Sequence, residues 1–270
     1  MIIVQKVTSC SRIDMSFNKN SSFILRFITI FCIVFLLSVT CGFTTPGVQV
    51  LKNKARKYYQ GIGVKQNYTK AFVLYRRAAE KGDAGAQYIC GGMYFRGLGV
   101  KKDNRAAFKY LYRAALQGKS SGRSERILGE AFFQGNGTLK NLSKAIHWYS
   151  LSAEHGDSEA MNTLGYLYFM GRGVERNEEK GAEYFLQAAK NNFPQAQFNT
   201  GIMYSTGSGI GEIDLVAAYG WMNIAAANGY RPAVAARDYL ENLLTGKELS
   251  EAQQFAGKLQ KTLESGKKTR

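Results

Sequence analysis

The residues of this chain whose types could do chemistry are five glycine pairs, two histidines and four cysteines. The pairs, each spaced G-x-G, stand at Gly61/Gly63, Gly97/Gly99, Gly135/Gly137, Gly171/Gly173 and Gly207/Gly209. A glycine loop that cradles phosphate needs a strand before it and Lys-Ser/Thr after it. The five pairs lack both, and Gly118-Lys119-Ser120 has Arg113 where the first glycine of a phosphate loop belongs. His147 and His155 lie eight residues apart, with no cysteine-rich or acid-rich neighbour to complete a metal site or a nucleophile–base pair. Surface or helix-end roles are expected for both. Cys10, Cys32, Cys41 and Cys90 are too few and too unevenly placed for a disulfide scaffold or a zinc site. Cys90 reads as a small buried apolar residue. No serine, lysine and carboxylate constellation supports an enzyme, so no catalytic residue, cofactor or metal is expected.

The elements that must position the remaining residues begin after an apolar run. Residues 27–39, FITIFCIVFLLSV, follow Lys19 and Arg26 and lead into Thr40-Cys41-Gly42, the order of a secretory signal peptide. The run is shorter than the roughly 20 residues that cross a bilayer as a helix. Export to the periplasm or medium, with residues 1–42 as signal, is therefore expected; the alternative is an inner-membrane anchor over residues 23–43. Met15 would begin a signal of ordinary length. Cys41 invites acylation, although Ser38-Val39-Thr40 lacks the leucine and the small residue that a lipobox requires.

The chain holds 36 Lys+Arg against 20 Asp+Glu, a net +16, and 45% apolar residues. It can bury a core, and its charge favours anionic partners. At about 150 residues per domain, 270 residues suggest two globular domains. A repeat replaces that reading. The glycine pairs recur at steps of 36, 38, 36 and 36 residues. A second marker, two adjacent small residues, falls at Ala78-Ala79, Ala114-Ala115, Ser152-Ala153, Ala188-Ala189 and Ala225-Ala226. Large side chains precede the latter by four residues (Leu74, Tyr110, Trp148, Tyr184, Trp221) and small ones by seven, one stripe of a helix. Ala86, Cys90, Gly91 and Tyr94 match Ala160, Leu164, Gly165 and Tyr168 at the same steps. They define a first helix, closed by glycines that tolerate positive φ.

Period, glycine turn and small-residue stripe together resemble the Sel1-like repeat, a relative of the tetratricopeptide repeat. The fullest match runs Ala160-x-x-x-Leu164-Gly165-x-x-Tyr168-x-x-Gly171-x-Gly173-Val174, then Gly181-x-x-Tyr184-Phe185-x-x-Ala188-Ala189. The resemblance implies an all-α, right-handed α/α solenoid of about five helical hairpins over 49–84, 85–120, 121–158, 159–194 and 195–230. A linker at 43–48 precedes them. Capping helices within 231–264 and a basic tail at 265–270 come after. The first unit has a degenerate first helix, and the third carries two extra residues around 119–122.

By the same resemblance, the first helix of each hairpin lines a concave surface where polypeptides dock. On that face lie Arg56, Tyr59, Tyr88, Phe95, Arg96, Arg126, Phe133, Asn162, Tyr166, Phe169 and Phe198. Aromatic residues and arginine carry much of the binding energy at interfaces. The expected function is an exported bacterial scaffold holding a protein partner, acidic or extended: an envelope enzyme or regulator, or a host protein bound in virulence. The alternative is a cell-envelope binder of anionic glycan such as peptidoglycan or lipopolysaccharide. Nucleic acid is not expected, and membrane contact only through the N-terminal segment.

Overall fold

The computed structural model describes residues 46–268; the signal or anchor run, Met15 and Cys41 lie outside these residues. The chain divides into compact units at Met1–Gln49 and Val50–Arg270, and the repeats lie in the second.

Among the described residues there are twelve helices and no strand: α1 (Pro46–Gln60), α2 (Tyr68–Glu80), α3 (Ala84–Arg96), α4 (Asn104–Leu116), α5 (Gly122–Gln134), α6 (Leu142–Glu154), α7 (Ser158–Met170), α8 (Glu178–Lys190), α9 (Pro194–Thr206), α10 (Leu215–Ala227), α11 (Arg231–Leu243) and α12 (Gly246–Lys268). From α3 to α10, each odd helix pairs with the even helix after it and also packs on the even helix before it. The result is the all-α solenoid of hairpins expected from the repeat.

Three glycine positions set the spacing. Gly97 ends α3 at φ +70°, its N–H donating to the Met93 carbonyl. Two residues on, Gly99 (φ +68°) lies against the start of α2 in the preceding hairpin, where an added Cβ would overlap the Tyr68 carbonyl. A Cβ on Gly137 would stand 2.7 Å from the Asn104 carbonyl oxygen in the same way, whereas one on Gly63, in the first repeat, would meet nothing within 4 Å. The third position lies inside the odd helices. A Cβ on Gly91 would stand 2.6 Å from Leu111, on Gly129 2.8 Å from Tyr149, and on Gly165 2.7 Å from Phe185. The first glycine therefore turns the chain, the second joins neighbouring repeats and the third closes each hairpin.

Backbone bonds tie the turn down. The N–H groups of Asn67, Asp103, Asn141, Asn177 and Asp214 donate to the carbonyls of Tyr58, Tyr94, Phe132, Tyr168 and Tyr204. The side chains of the same five residues cap the even helices by accepting a backbone N–H three residues on.

A buried polar ladder links the other ends of the helices. Gln117 Nε2 donates to Gln87 Oε1 at 2.8 Å, and Asn228 Nδ2 to Gln197 Oε1 at 2.9 Å. Gln87 and Gln197 in turn donate to the Ala79 and Ala189 carbonyls of the preceding even helices. The third repeat places Glu125 at this position. A carboxylate cannot donate to a carbonyl, and here Ser120, within the two-residue insertion, donates its hydroxyl to Glu125 at 2.6 Å. His155 Nδ1 closes the rung at 2.6 Å. The insertion thus supplies a donor to the carboxylate oxygen that stands where glutamine carries its amide NH2.

The C-terminal end departs from the repeat. α12 packs chiefly on α10 instead of pairing with α11 as earlier even helices pair with odd ones. The reason is written in α10. Where α2 has Lys70, Val73 and Arg77, and α8 has Lys180, Glu183 and Gln187, α10 has Ala217, Gly220 and Ile224. All three are buried, and Phe255 of α12 lies against Gly220. The capping helices expected within 231–264 are thus present as α11 and α12, and α12 continues to Lys268 through most of the stretch read as a basic tail.

Gly99→Ala will lower the unfolding midpoint far more than Gly63→Ala. The second costs only the strain of a left-handed residue, about 1–2 kcal/mol, while the first also collides with backbone; chemical denaturation followed by circular dichroism compares them. The hydrogen bond and charge of Glu125 raise the pKa of His155 above its ordinary 6.5. Its contribution is therefore complete below pH 6.5 and is lost as pH rises through the raised folded value. His155→Gln will flatten that part of the stability profile, read as the difference between thermal midpoints at about pH 6 and about pH 8.

Candidate functional site

The odd helices α1, α3 and α5 enclose a cavity of about 370 Å³ with α2 and α4 as its floor. Arg56, Tyr59 and Gln60 come from α1, and Tyr88, Ile89, Gly92, Phe95 and Arg96 from α3. Arg123, Ser124 and Ile127 come from α5, and Tyr75 and Leu111 rise from below. The side chains are held by local contacts. Arg96 Nη2 donates to the Tyr59 hydroxyl at 3.0 Å while its Nε donates to the Gly92 carbonyl at 3.2 Å. Tyr88 shares a hydrogen bond of 2.9 Å with Ser121, the cap of α5. The Tyr59 ring stands edge-on to Tyr75 at 6.4 Å, and Lys102 Nζ sits 5.7 Å from the Phe95 ring centroid.

Gly92 makes the room. At the same place in the other odd helices stand Arg56, Glu130, Tyr166 and Ile202. A Cβ on Gly92 would meet only the flexible end of Arg96, at 3.8 Å. Glycine inside a helix costs about 1 kcal/mol relative to alanine. At Gly91 close packing on Leu111 accounts for the residue; at Gly92 no helix packing does, and the glycine leaves the cavity open.

The structure therefore gathers Arg56, Tyr59, Tyr88, Phe95 and Arg96 into one cavity. The other expected residues are placed along the later helices, and most have partners. Arg126 pairs with Asp157 at 3.2 Å and Glu159 at 3.1 Å. Asn162 is buried and accepts from Asn199 at 2.9 Å. Phe133 lies against the core under Arg172, Phe169 packs on Phe185, and Phe198 on Tyr230. Tyr166 is exposed. Sequence reasoning does not reach Tyr75, Leu111, Ile89, Ser124 and Ile127. Tyr75 and Leu111 belong to the even helices, away from the outward face of the odd ones, and the one sequence signal of a floor to be filled is the small residue Gly91, against which Leu111 packs.

Nothing in the geometry activates a nucleophile at Cys90: burial pushes its thiol pKa up to about 12. His155 is committed to Glu125. Among the described residues no group of His, Cys, Asp and Glu is placed to hold a metal ion, and no helix is long and apolar enough to cross a membrane.

The model of one protein family, the Sel1 repeat, matches residues 55–83, 84–119, 123–157, 158–193 and 194–230. Among solved structures, the chain is 31% identical to a protective antigen, displaying an SLR fold, present in uropathogenic Escherichia coli strains; the TM-score is 0.66 over 77% of this chain. The chain spans 44% of that antigen's length. It is 30% identical to a Sel1 repeat protein from Oxalobacter formigenes, with a TM-score of 0.61, covering 83% of this chain and 91% of the other. No curated protein matches the sequence.

Iodoacetamide applied to the native chain at about pH 8 will leave Cys90 unmodified, because a thiol with a pKa of about 12 is scarcely ionised there. Peptide mass mapping after denaturation will show it alkylated; rapid native labelling would contradict its burial.

Proposed function

We infer that this chain, which belongs to the Sel1 repeat family, is an exported scaffold that holds a partner polypeptide against its odd-numbered helices. Sel1 repeats generally mediate protein interactions and generally lack catalysis. The observation that carries the reading to a particular surface is the cavity of α1, α3 and α5, where aromatic walls and guanidinium groups meet above a helix glycine that packing does not require. Aromatic and arginine side chains in a concave site provide the anchors of a polypeptide interface. Export rests on the apolar run at residues 27–39 and its cationic flank. It would present the groove to an envelope protein or to a host protein.

Anionic glycan is the second reading, favoured by charge. Residues 46–120 hold 16 lysines and arginines against 3 acids, whereas residues 121–270 hold 16 of each. Binding through scattered cations falls steeply with ionic strength, while an aromatic-anchored contact survives it.

A photo-cross-linking residue placed at Gln60, exposed at the rim of the cavity, is expected to yield a discrete protein adduct in cells of the source organism, identifiable by mass spectrometry. The same residue at Lys109, exposed on α4, is expected to yield none. Equal labelling from both positions, or glycan adducts at Gln60, would overturn the reading.

A further inference from the structure

We propose that the cavity of α1, α3 and α5 recognises an acidic, extended peptide segment, with carboxylates at Arg56, Arg96 and Arg123 and an apolar residue of the segment over Gly92. This deepens the reading of the groove as a polypeptide site and rests on it.

Among the described residues, none of these three arginines makes an ion pair, and no Asp or Glu lines the cavity. Carboxylates lie within reach of other cations on the same odd helices. Arg126, three residues beyond Arg123 on α5, is held by two carboxylates, and Lys52 on α1 is held by Asp83 at 2.9 Å. Arg96 is oriented by Tyr59 and the Gly92 carbonyl, yet none of the three guanidiniums has a carboxylate to neutralise it, and a ligand can supply one. Guanidinium presents a planar fork that matches a carboxylate in two parallel hydrogen bonds.

The spacing selects a chain over a small anion. The three arginines come from three successive odd helices, and helices packed side by side lie about 8–10 Å apart. A single carboxylate cannot bridge that span, while an extended peptide advances about 3.3 Å per residue and offers several carboxylates along it. The walls suit the side chains between them: Tyr59, Tyr88 and Phe95 present ring surface, and Gly92 leaves depth for an apolar group. The long-range field acts in the same direction. The whole excess of cations beyond residue 45 lies in residues 46–120, the stretch that builds α1 to α4, so an acidic segment is steered to this end of the repeat array.

Fluorescence anisotropy of the full chain tests this with a labelled hexapeptide, Glu-Leu-Glu-Glu-Leu-Glu, against its counterpart with glutamine for every glutamate. The acidic peptide should bind at least about tenfold more tightly, a difference of about 1.4 kcal/mol. Arg96→Gln with Arg123→Gln should abolish most of that difference. Gly92→Leu should block binding by filling the cavity while leaving the helical circular dichroism and unfolding midpoint at or above those of the parent chain. Lys70→Gln with Lys109→Gln removes the same charge from α2 and α4 and should change affinity by less than about twofold. If the lysine pair weakens binding as much as the arginine pair, the attraction is diffuse charge and the proposal fails. If both peptides bind alike and Gly92→Leu blocks both, the cavity holds polypeptide without reading carboxylates, which refutes this inference and leaves the groove reading standing. If neither peptide binds, the inference also fails, and cross-linking from position 60 judges the groove separately.

Discussion

The structure depends on how closely one backbone approaches another at positions that carry no side chain. Gly99 and Gly137 touch the start of the preceding even helix at its backbone, and Gly91, Gly129 and Gly165 admit a large side chain from their hairpin partner. Contacts of this kind do not tolerate a methyl group, because protein interiors are packed to the density of organic crystals. They set both the distance within a hairpin and the offset between hairpins. The capped turns and the polar ladder then hold orientations that close packing alone leaves free.

The groove is a consequence of this spacing. When each hairpin is locked to the next, the outward stripe of every odd helix falls beside that of its neighbour, and side chains 30 to 40 residues apart in sequence meet. Arg96 reaching Tyr59, and Tyr88 reaching Ser121, are contacts of that kind. The packing stripe admits little variation and the outward stripe is free to vary. Gly92 stands out because it obeys neither demand: it is a glycine on the outward stripe, with no neighbour to make room for. It weakens the helix without serving the solenoid, and the cavity is what it produces.

Much of this is legible in the sequence. The 36- to 38-residue recurrence of G-x-G and of the small pair implies helical hairpins, because steps of four and seven residues share a helix face. The different duties of the two glycines are not legible, since both read as turn residues until their neighbours are seen. At the site, periodicity identifies which residues face outward but not which of them are already occupied. Arg126 and Arg96 look alike in the sequence; Asp157 and Glu159 take the first and leave the second. The seal at the C-terminal end does carry a signal. Ala217, Gly220 and Ile224 stand where repeats one and four place mostly charged or polar residues, so a helix apolar on all sides requires a second cover, which α12 supplies.

In a solenoid held by contacts between neighbours, damage to one junction stays local. Hydrogen exchange followed by mass spectrometry on Gly137→Ala probes the joint between α4 and the turn after α5. The account predicts that amide protection falls in α4, α5 and α6 and is kept in α8 to α10, which the junction does not touch. Uniform loss along the chain, or none at the joint, would contradict the claim that backbone contact at the second glycine fixes how the repeats are stacked.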